Sequence, residues 1–280
     1  MVRLRLAGIV LLAFALAGPA AAAVPHRIVS LSPTATEDLF AIGAGKQVVA
    51  VDSDSDYPKN APHTKLSAYT PNAEAIAGYN PDLVVISNDQ NGIVAALHKL
   101  KVPVLLQPAA SGLGQAYAEI EQLGTVTGHA AQAKSVVARM RAQIAATVKS
   151  LASSRGKLTV YHELEQDYYS ATSKTFIGGI YKLLGLRDIA DAAPDAGSGY
   201  PKLSAEYIVA ANPDLIVLAD TVCCGQTAAK VAKRTGWENI SAVKNGDVVG
   251  VNDDIASRWG PRIVDFVRAV AAAARSAARK

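Results

Sequence analysis

One stretch of this chain occurs twice. Ala73-Glu74-Ala75-Ile76-Ala77-Gly78-Tyr79-Asn80-Pro81-Asp82-Leu83-Val84-Val85-Ile86 returns as Ala205-Glu206-Tyr207-Ile208-Val209-Ala210-Ala211-Asn212-Pro213-Asp214-Leu215-Ile216-Val217-Leu218. The copies lie 132 residues apart without a gap and share eight residues. Each has the same physical content: a short helix ends, Asn-Pro turns the chain, and a run of apolar residues starts a buried strand. Similar α-to-β turns are common, but eight matches at one spacing predict two related lobes.

Between the copies, residues 129–151 carry one apolar stripe. Val136, Met140, Ile144 and Val148 recur every four residues, and Val137, Ile144 and Leu151 every seven. No Gly or Pro interrupts them, and Lys134, Arg139, Arg141 and Lys149 lie mostly off the stripe. Thr127-Gly128 and Ser153-Ser154-Arg155-Gly156 mark its ends. Such a helix is roughly 35 Å long. It could be one more surface helix, but between two similar halves it is expected to be a strut.

On both sides of the strut, strand and helix signals alternate. Strands are expected at 27–31, 48–51, 83–86 and 102–106 in the first half. Helices are expected at 33–43, 72–79, 92–101 and 111–123. Ser32 and Pro33 supply an N-cap and a first helical position. The second half predicts strands at 158–162, 215–218 and 247–251. Its helices are expected at 175–184, 204–211, 227–235 and from about Pro261 onward. The fold class is therefore α/β, with one mostly parallel sheet per half. The expected division is a signal peptide at 1–23, lobes at 24–127 and 154–280, and a connecting helix at 128–153.

The leader assignment rests on the Arg3–Arg5 head, the apolar run Leu6–Ala17, the Gly18-Pro19 break and four small residues ending at Ala23. The apolar part is short for a membrane anchor. No Cys follows it, so no lipid anchor is expected, and the chain is expected in the periplasm. The full chain carries 28 basic and 24 acidic residues. Without the leader's two arginines the excess is about +2. With no basic run or basic helix face, a nucleic-acid partner is not expected. The only cysteines, Cys223 and Cys224, are neighbours. A vicinal disulfide, two thiols and a ligand or metal contact are the alternatives, with the disulfide preferred in an oxidising compartment.

With these landmarks the sequence resembles the periplasmic binding-protein family with the vitamin B12-binding fold. The landmarks are RIVSLSPTATEDLFAIGAG at 27–45, SDYP at 55–58, the paired AE…NPDL segments, the central helix and DIASRWGPR at 254–262. The resemblance implies two Rossmann-like lobes joined by a rigid helix, with ligand held in the cleft between them. It also implies an importer of the ABC class that takes cobalamin, ferric siderophores or haem. Cobalamin binders look nearest. Their ligand-approaching aromatics map to Tyr57, Tyr69 and Tyr200. A third family tryptophan falls on Asn88, a departure from the pattern. Their Asp and Arg near the C terminus map to Asp254 and Arg258, next to Trp259. The family's permease-docking glutamates map to Glu74 and Glu206. The expected partners are a permease dimer and a small metal-chelate ligand, with the protein monomeric and needing no cofactor of its own.

Read without the family, a large flat ligand needs broad apolar walls and a few polar fixtures. Tyrosine offers both. This chain has 10 Tyr against 4 Phe and 2 Trp, and Tyr57, Tyr69, Tyr168, Tyr169 and Tyr200 fall in expected loops. Asp254 and Arg258 either pair with each other or meet ligand groups. Catalytic signals are weak. The five histidines are scattered, and His162-Glu163 at a strand end is expected in the cleft or core. Ser30 and Ser32 lack a G-x-S-x-G elbow, and Gly43–Lys46 lacks the P-loop spacing. The chain is therefore expected not to be an enzyme. A secreted α/β hydrolase or a zinc- or manganese-binding protein are the competing classes.

Overall fold

The structure is a computed structural model that describes residues 23–151 and 156–280. The expected leader, apart from Ala23, lies outside the described residues.

The first lobe is a five-stranded sheet in the order β3-β2-β1-β4-β5, every pair parallel. Its strands are β1 (Ile28–Leu31), β2 (Val48–Asp52), β3 (His63–Leu66), β4 (Leu83–Ile86) and β5 (Val104–Leu106). Helices α1 (Pro33–Ala41), α2 (Ala73–Ala77), α3 (Ile93–Lys99) and α4 (Leu113–Val126) connect and cover them. The long helix α5 (Ala130–Lys149) follows.

The second lobe is a four-stranded parallel sheet in the order β7-β6-β8-β9. Its strands are β6 (Thr159–Glu163), β7 (Arg187–Asp188), β8 (Leu215–Leu218) and β9 (Val248–Gly250). Its helices are α6 (Phe176–Leu184), α7 (Ala205–Ala211), α8 (Thr221–Cys224), α9 (Ala228–Val231), α10 (Ser241–Asn245), α11 (Asp253–Ser257) and α12 (Ile263–Ala277). Strands β1, β4 and β8 are buried at every residue. This is why their sequences are nearly all apolar rather than alternating.

The repeat explains the shared geometry. Asn72 and Ser204 cap α2 and α7 by accepting the backbone N–H groups of Ala75 and Tyr207. Asn80 and Asn212 both take left-handed backbone, with φ of 49° and 45°. Asn tolerates that region better than most residues, and the following Pro cannot continue the helix. The aspartates then stitch each sheet together. Asp82 accepts the N–H groups of His26 and Arg27 at 2.7 and 2.8 Å, at the start of β1. Asp214 Oδ2 accepts the N–H and hydroxyl of Thr159, both at 2.8 Å, at the start of β6.

Helix α5 buries Ala133, Val136, Val137, Met140 and Ile144. It packs on α4 of the first lobe and on α12 of the second. The crossing with α4 is close: a Cβ on Gly124 would lie 2.4 Å from that of Ala133. One buried cluster runs from Leu39 and Ile120 through Met140 to Phe176 and Phe266, so both lobes share a core through this helix.

Several boundaries differ from the expectations. The edge strands β3 and β7 carry little hydrophobic signal, since β3 is largely exposed and β7 has two residues. The helix expected at 227–235 is the single turn α9.

Candidate functional site

The two lobes face each other across a cavity of 610 Å³. Every wall comes from the loop or first helical turns beyond the C-terminal end of a parallel strand, the end at which open α/β sheets bind ligands. Ser32 follows β1, Asp54 and Asp56 follow β2, Tyr69 follows β3 and Ser87 follows β4. From the second lobe, Val222 and Cys223 follow β8. Asp253, Asp254, Ser257, Arg258 and Trp259 follow β9.

The first lobe's loops are held by short polar contacts. Thr36 donates to Ser30 Oγ at 2.9 Å, and its hydroxyl lies 3.0 Å from that of the buried Ser55. This fixes the start of the Ser55-Asp56-Tyr57-Pro58 turn against α1. The Tyr57–Pro58 bond is cis.

Arg258 dominates the floor of the cleft. Its guanidinium donates to Glu37 Oε1 at 3.0 Å, Asp56 Oδ1 at 2.7 Å, the Asp54 carbonyl at 2.9 Å and Asp254 Oδ1 at 2.6 Å. Arg262 donates from Nε to Glu37 Oε2 at 2.8 Å. Three of the Arg258 acceptors belong to the first lobe, so the cluster ties the lobes together. Burial pushes the Asp56 carboxyl up, but the hydrogen bond and charge of Arg258 outweigh it and hold the group below its usual range. Burial raises Asp254 despite the same arginine.

Deeper, burial and then Glu37 and Glu119 push the Asp38 carboxyl well above its ordinary value. Trp259 Nε1 donates to Glu119 Oε2 at 2.7 Å, a further bond between the lobes.

A family model described as periplasmic binding protein matches residues 28–255. The chain belongs to that family. It is 32% identical over 257 residues to an uncharacterized ABC transporter substrate-binding lipoprotein, YvrC, of Bacillus subtilis, covering 88% of this chain and 79% of that one. It is also 32% identical to a cobalamin-binding protein of Halobacterium salinarum, covering 86% and 67%.

Among solved structures it resembles a possible iron-binding (periplasmic solute-binding) protein of Staphylococcus epidermidis. There the TM-score is 0.76 at 28% identity, covering 89% and 98% of the two chains. The periplasmic haem-binding protein RhuT of Roseiflexus shares the fold, with a TM-score of 0.78 at 24% identity, covering 90% and 99%.

In this periplasmic binding protein the cavity brings together Tyr69, Asp254, Arg258 and Trp259 of the expected site residues. Tyr69 is 72% exposed. Tyr57 does not line the cavity; its ring lies 4.2 Å beneath the Arg262 guanidinium. Asn88 is exposed beside the cavity residue Ser87, and its side chain accepts from Gln90 N–H. Tyr168 packs against Trp237 with ring centroids 5.7 Å apart, away from the cleft. Tyr200 lines a separate surface hollow with Tyr169, Pro201 and Lys202.

Asp254 and Arg258 do form an ion pair, but with first-lobe partners added. His162 is a core residue: it is fully buried, its Nδ1 lies 2.5 Å from the Tyr181 hydroxyl, and burial depresses its pKa to about 3.

Glu74 and Glu206 are exposed in the first turns of α2 and α7. Cys223 and Cys224 are joined by a disulfide, with Cα atoms 3.8 Å apart. No group of three or more His, Cys, Asp and Glu among the described residues is arranged to hold a metal ion. No described helix is long and apolar enough to cross a membrane.

The sequence reading missed Glu37, Asp54, Asp56 and Asp253. One signal for Glu37 was available: Glu37-Asp38 places two acids inside an otherwise uncharged helix, and both are buried there. Asp54, Asp56 and Asp253 announce themselves only once the strand ends are brought together.

Proposed function

We propose that this protein is the extracytoplasmic substrate-binding component of an ABC importer and that its cargo is cobalamin or a related corrinoid. The observation that carries the ligand choice is the charge of the cleft. Asp54, Asp56, Asp253 and Asp254 line it, and its one cation among the described residues, Arg258, is already held by carboxylates of both lobes. A ligand bearing several carboxylates or catecholates would meet repulsion there and no unpaired cation to offset it. A corrinoid carries a cationic metal and a rim of amide N–H donors, which suit carboxylate acceptors. The cavity volume of 610 Å³ lies within the range of small-molecule sites. The cobalamin-binding relative of Halobacterium salinarum supports the same choice.

One observation favours a second reading. Tyr69 is exposed at the cleft wall, and a tyrosine oxygen is an accepted haem-iron ligand. Haem or a ferric siderophore is therefore the runner-up.

On this reading the protein is not an enzyme. It is exported through the leader at 1–23 and acts as a monomer. It divides into lobes at 24–127 and 154–280 about the helix at 128–153. Glu74 and Glu206, at equivalent places in the repeat, dock on a permease dimer.

Titration of the purified protein with cyanocobalamin, haemin and a ferric siderophore tests the ligand. Cyanocobalamin is expected to bind with a Kd of about micromolar or tighter. Tyr69→Ala is expected to weaken it by roughly 1–3 kcal/mol, the scale of losing an aromatic contact. Haemin binding without any cobalamin binding would overturn the corrinoid choice.

A further inference from the structure

The turn after β8 places an apolar surface in an otherwise acidic cleft. Val222 is 67% exposed, Cys223 and Cys224 are exposed, and Val222 and Cys223 line the cavity that Tyr69 lines from the other lobe. A disulfide has no strong hydrogen-bonding group, so Val222 and Cys223 offer the cleft side chains without polar function, with Cys224 bonded to Cys223 and exposed beside them.

This surface is held firmly from behind. Asp253 accepts the N–H groups of Thr221 and Val222 at Oδ1, at 2.8 and 3.0 Å, and that of Cys223 at Oδ2, at 2.7 Å. The Thr221 hydroxyl donates to the Val251 carbonyl at 2.6 Å. Lys230 Nζ donates to the Gly225 carbonyl at 2.8 Å, beyond the disulfide. Gly225 itself takes left-handed backbone, with φ of 63°, to end the turn.

Two consequences follow from these contacts. The backbone N–H groups of Thr221, Val222 and Cys223 are occupied by a carboxylate of this chain, so they are not available to an anionic ligand. The exposed apolar atoms are fixed in place and Val222 stays 67% exposed among the described residues, although burying such surface is favourable.

We infer that Val222, Cys223 and Cys224 form an apolar plate that packs against the face of the bound ligand, opposite Tyr69. The disulfide is then part of the binding surface rather than a staple of the fold. The inference rests on the cleft binding a metal macrocycle and adds which surface receives its flat face. A flat ring gripped between a plate and a tyrosine leaves its polar rim to the cleft carboxylates.

Calorimetric titration with cyanocobalamin compares wild type, Val222→Asp and the double variant Cys223→Ser/Cys224→Ser. Each variant is expected to bind about tenfold more weakly or worse, with its melting temperature within a few degrees of wild type. Val222→Asp retains the disulfide and alters an exposed side chain, so it decides the matter even if the double variant folds poorly. Wild-type affinity in Val222→Asp would overturn the plate. The same three proteins titrated with haemin separate the two ideas. Haemin binding by wild type in place of cyanocobalamin ends the corrinoid choice, and loss of haemin affinity in Val222→Asp still upholds the plate. Unchanged haemin affinity in that variant ends the plate as well.

Discussion

Asp188 is the clearest case of a residue whose burial should be felt in solution. Its Oδ1 accepts the Ala190 N–H at 3.0 Å, while Oδ2 is buried without a partner among the described residues. Burial pushes its carboxyl from the ordinary 3.8 to about 8. In the unfolded chain the proton leaves near the ordinary value, so the folded state holds it over a wider range. The resulting stability is fully present below about pH 4 and is lost as the pH rises toward about 8. Asp188→Asn keeps the acceptor and cannot ionise. Between about pH 5 and 8 the wild-type melting temperature should therefore fall relative to the variant by roughly 10 °C. Parallel melting curves across that range would show that Asp188 titrates normally in the fold. His162 acts on the other side. Its pKa is depressed from 6.5 to about 3, so its contribution is intact above about pH 6.5 and is lost on acidification toward 3.

At the scale of elements, the paired helices α2 and α7 bear the docking prediction. Glu74 and Glu206 occupy matching first turns, where a carboxylate also favours the positive end of a helix. That local contribution is only a few tenths of a kcal/mol. Changing both to arginine should abolish uptake in cells, because the charges offered to the permease are reversed. Ligand affinity should stay unchanged and the melting temperature should move by no more than a few degrees. Normal uptake by the double variant would remove the docking role. Elements are also where the sequence was most informative. Strands β4 and β8 were legible to the residue, since a run such as Leu83-Val84-Val85-Ile86 has one apolar solution. Strand β3 was not, because His63-Thr64-Lys65-Leu66 lies at a sheet edge and buries only Leu66. The four-residue helix α8 is fixed by the neighbouring carboxylate of Asp253, not by periodicity.

For the whole molecule, the shared core through α5 and the Arg258 cluster predict a small change of shape on ligand binding. Small-angle scattering with and without cyanocobalamin should give nearly equal radii of gyration. A marked fall with ligand would mean that the lobes hinge despite the helix. This scale also set the limit of what the sequence could disclose about the site. Tyr69, Asp254, Arg258 and Trp259 were named from it and meet in the cavity, whereas Tyr200 lies in another hollow. The loops are short-range features, but which of them face one another depends on how two sheets are set about one helix. Arg258 illustrates this, since its partner Glu37 is 221 residues away in the chain.

The stitches made by Asp82 and Asp214 have a consequence for how such a molecule can evolve. They fasten the starting ends of the strands, whereas the cleft is built from the finishing ends. Substitutions around the hollow therefore leave the fastenings untouched. A lineage can exchange one cargo for another by rewriting the rim, and either half of that rim can be rewritten while the other stays as it was.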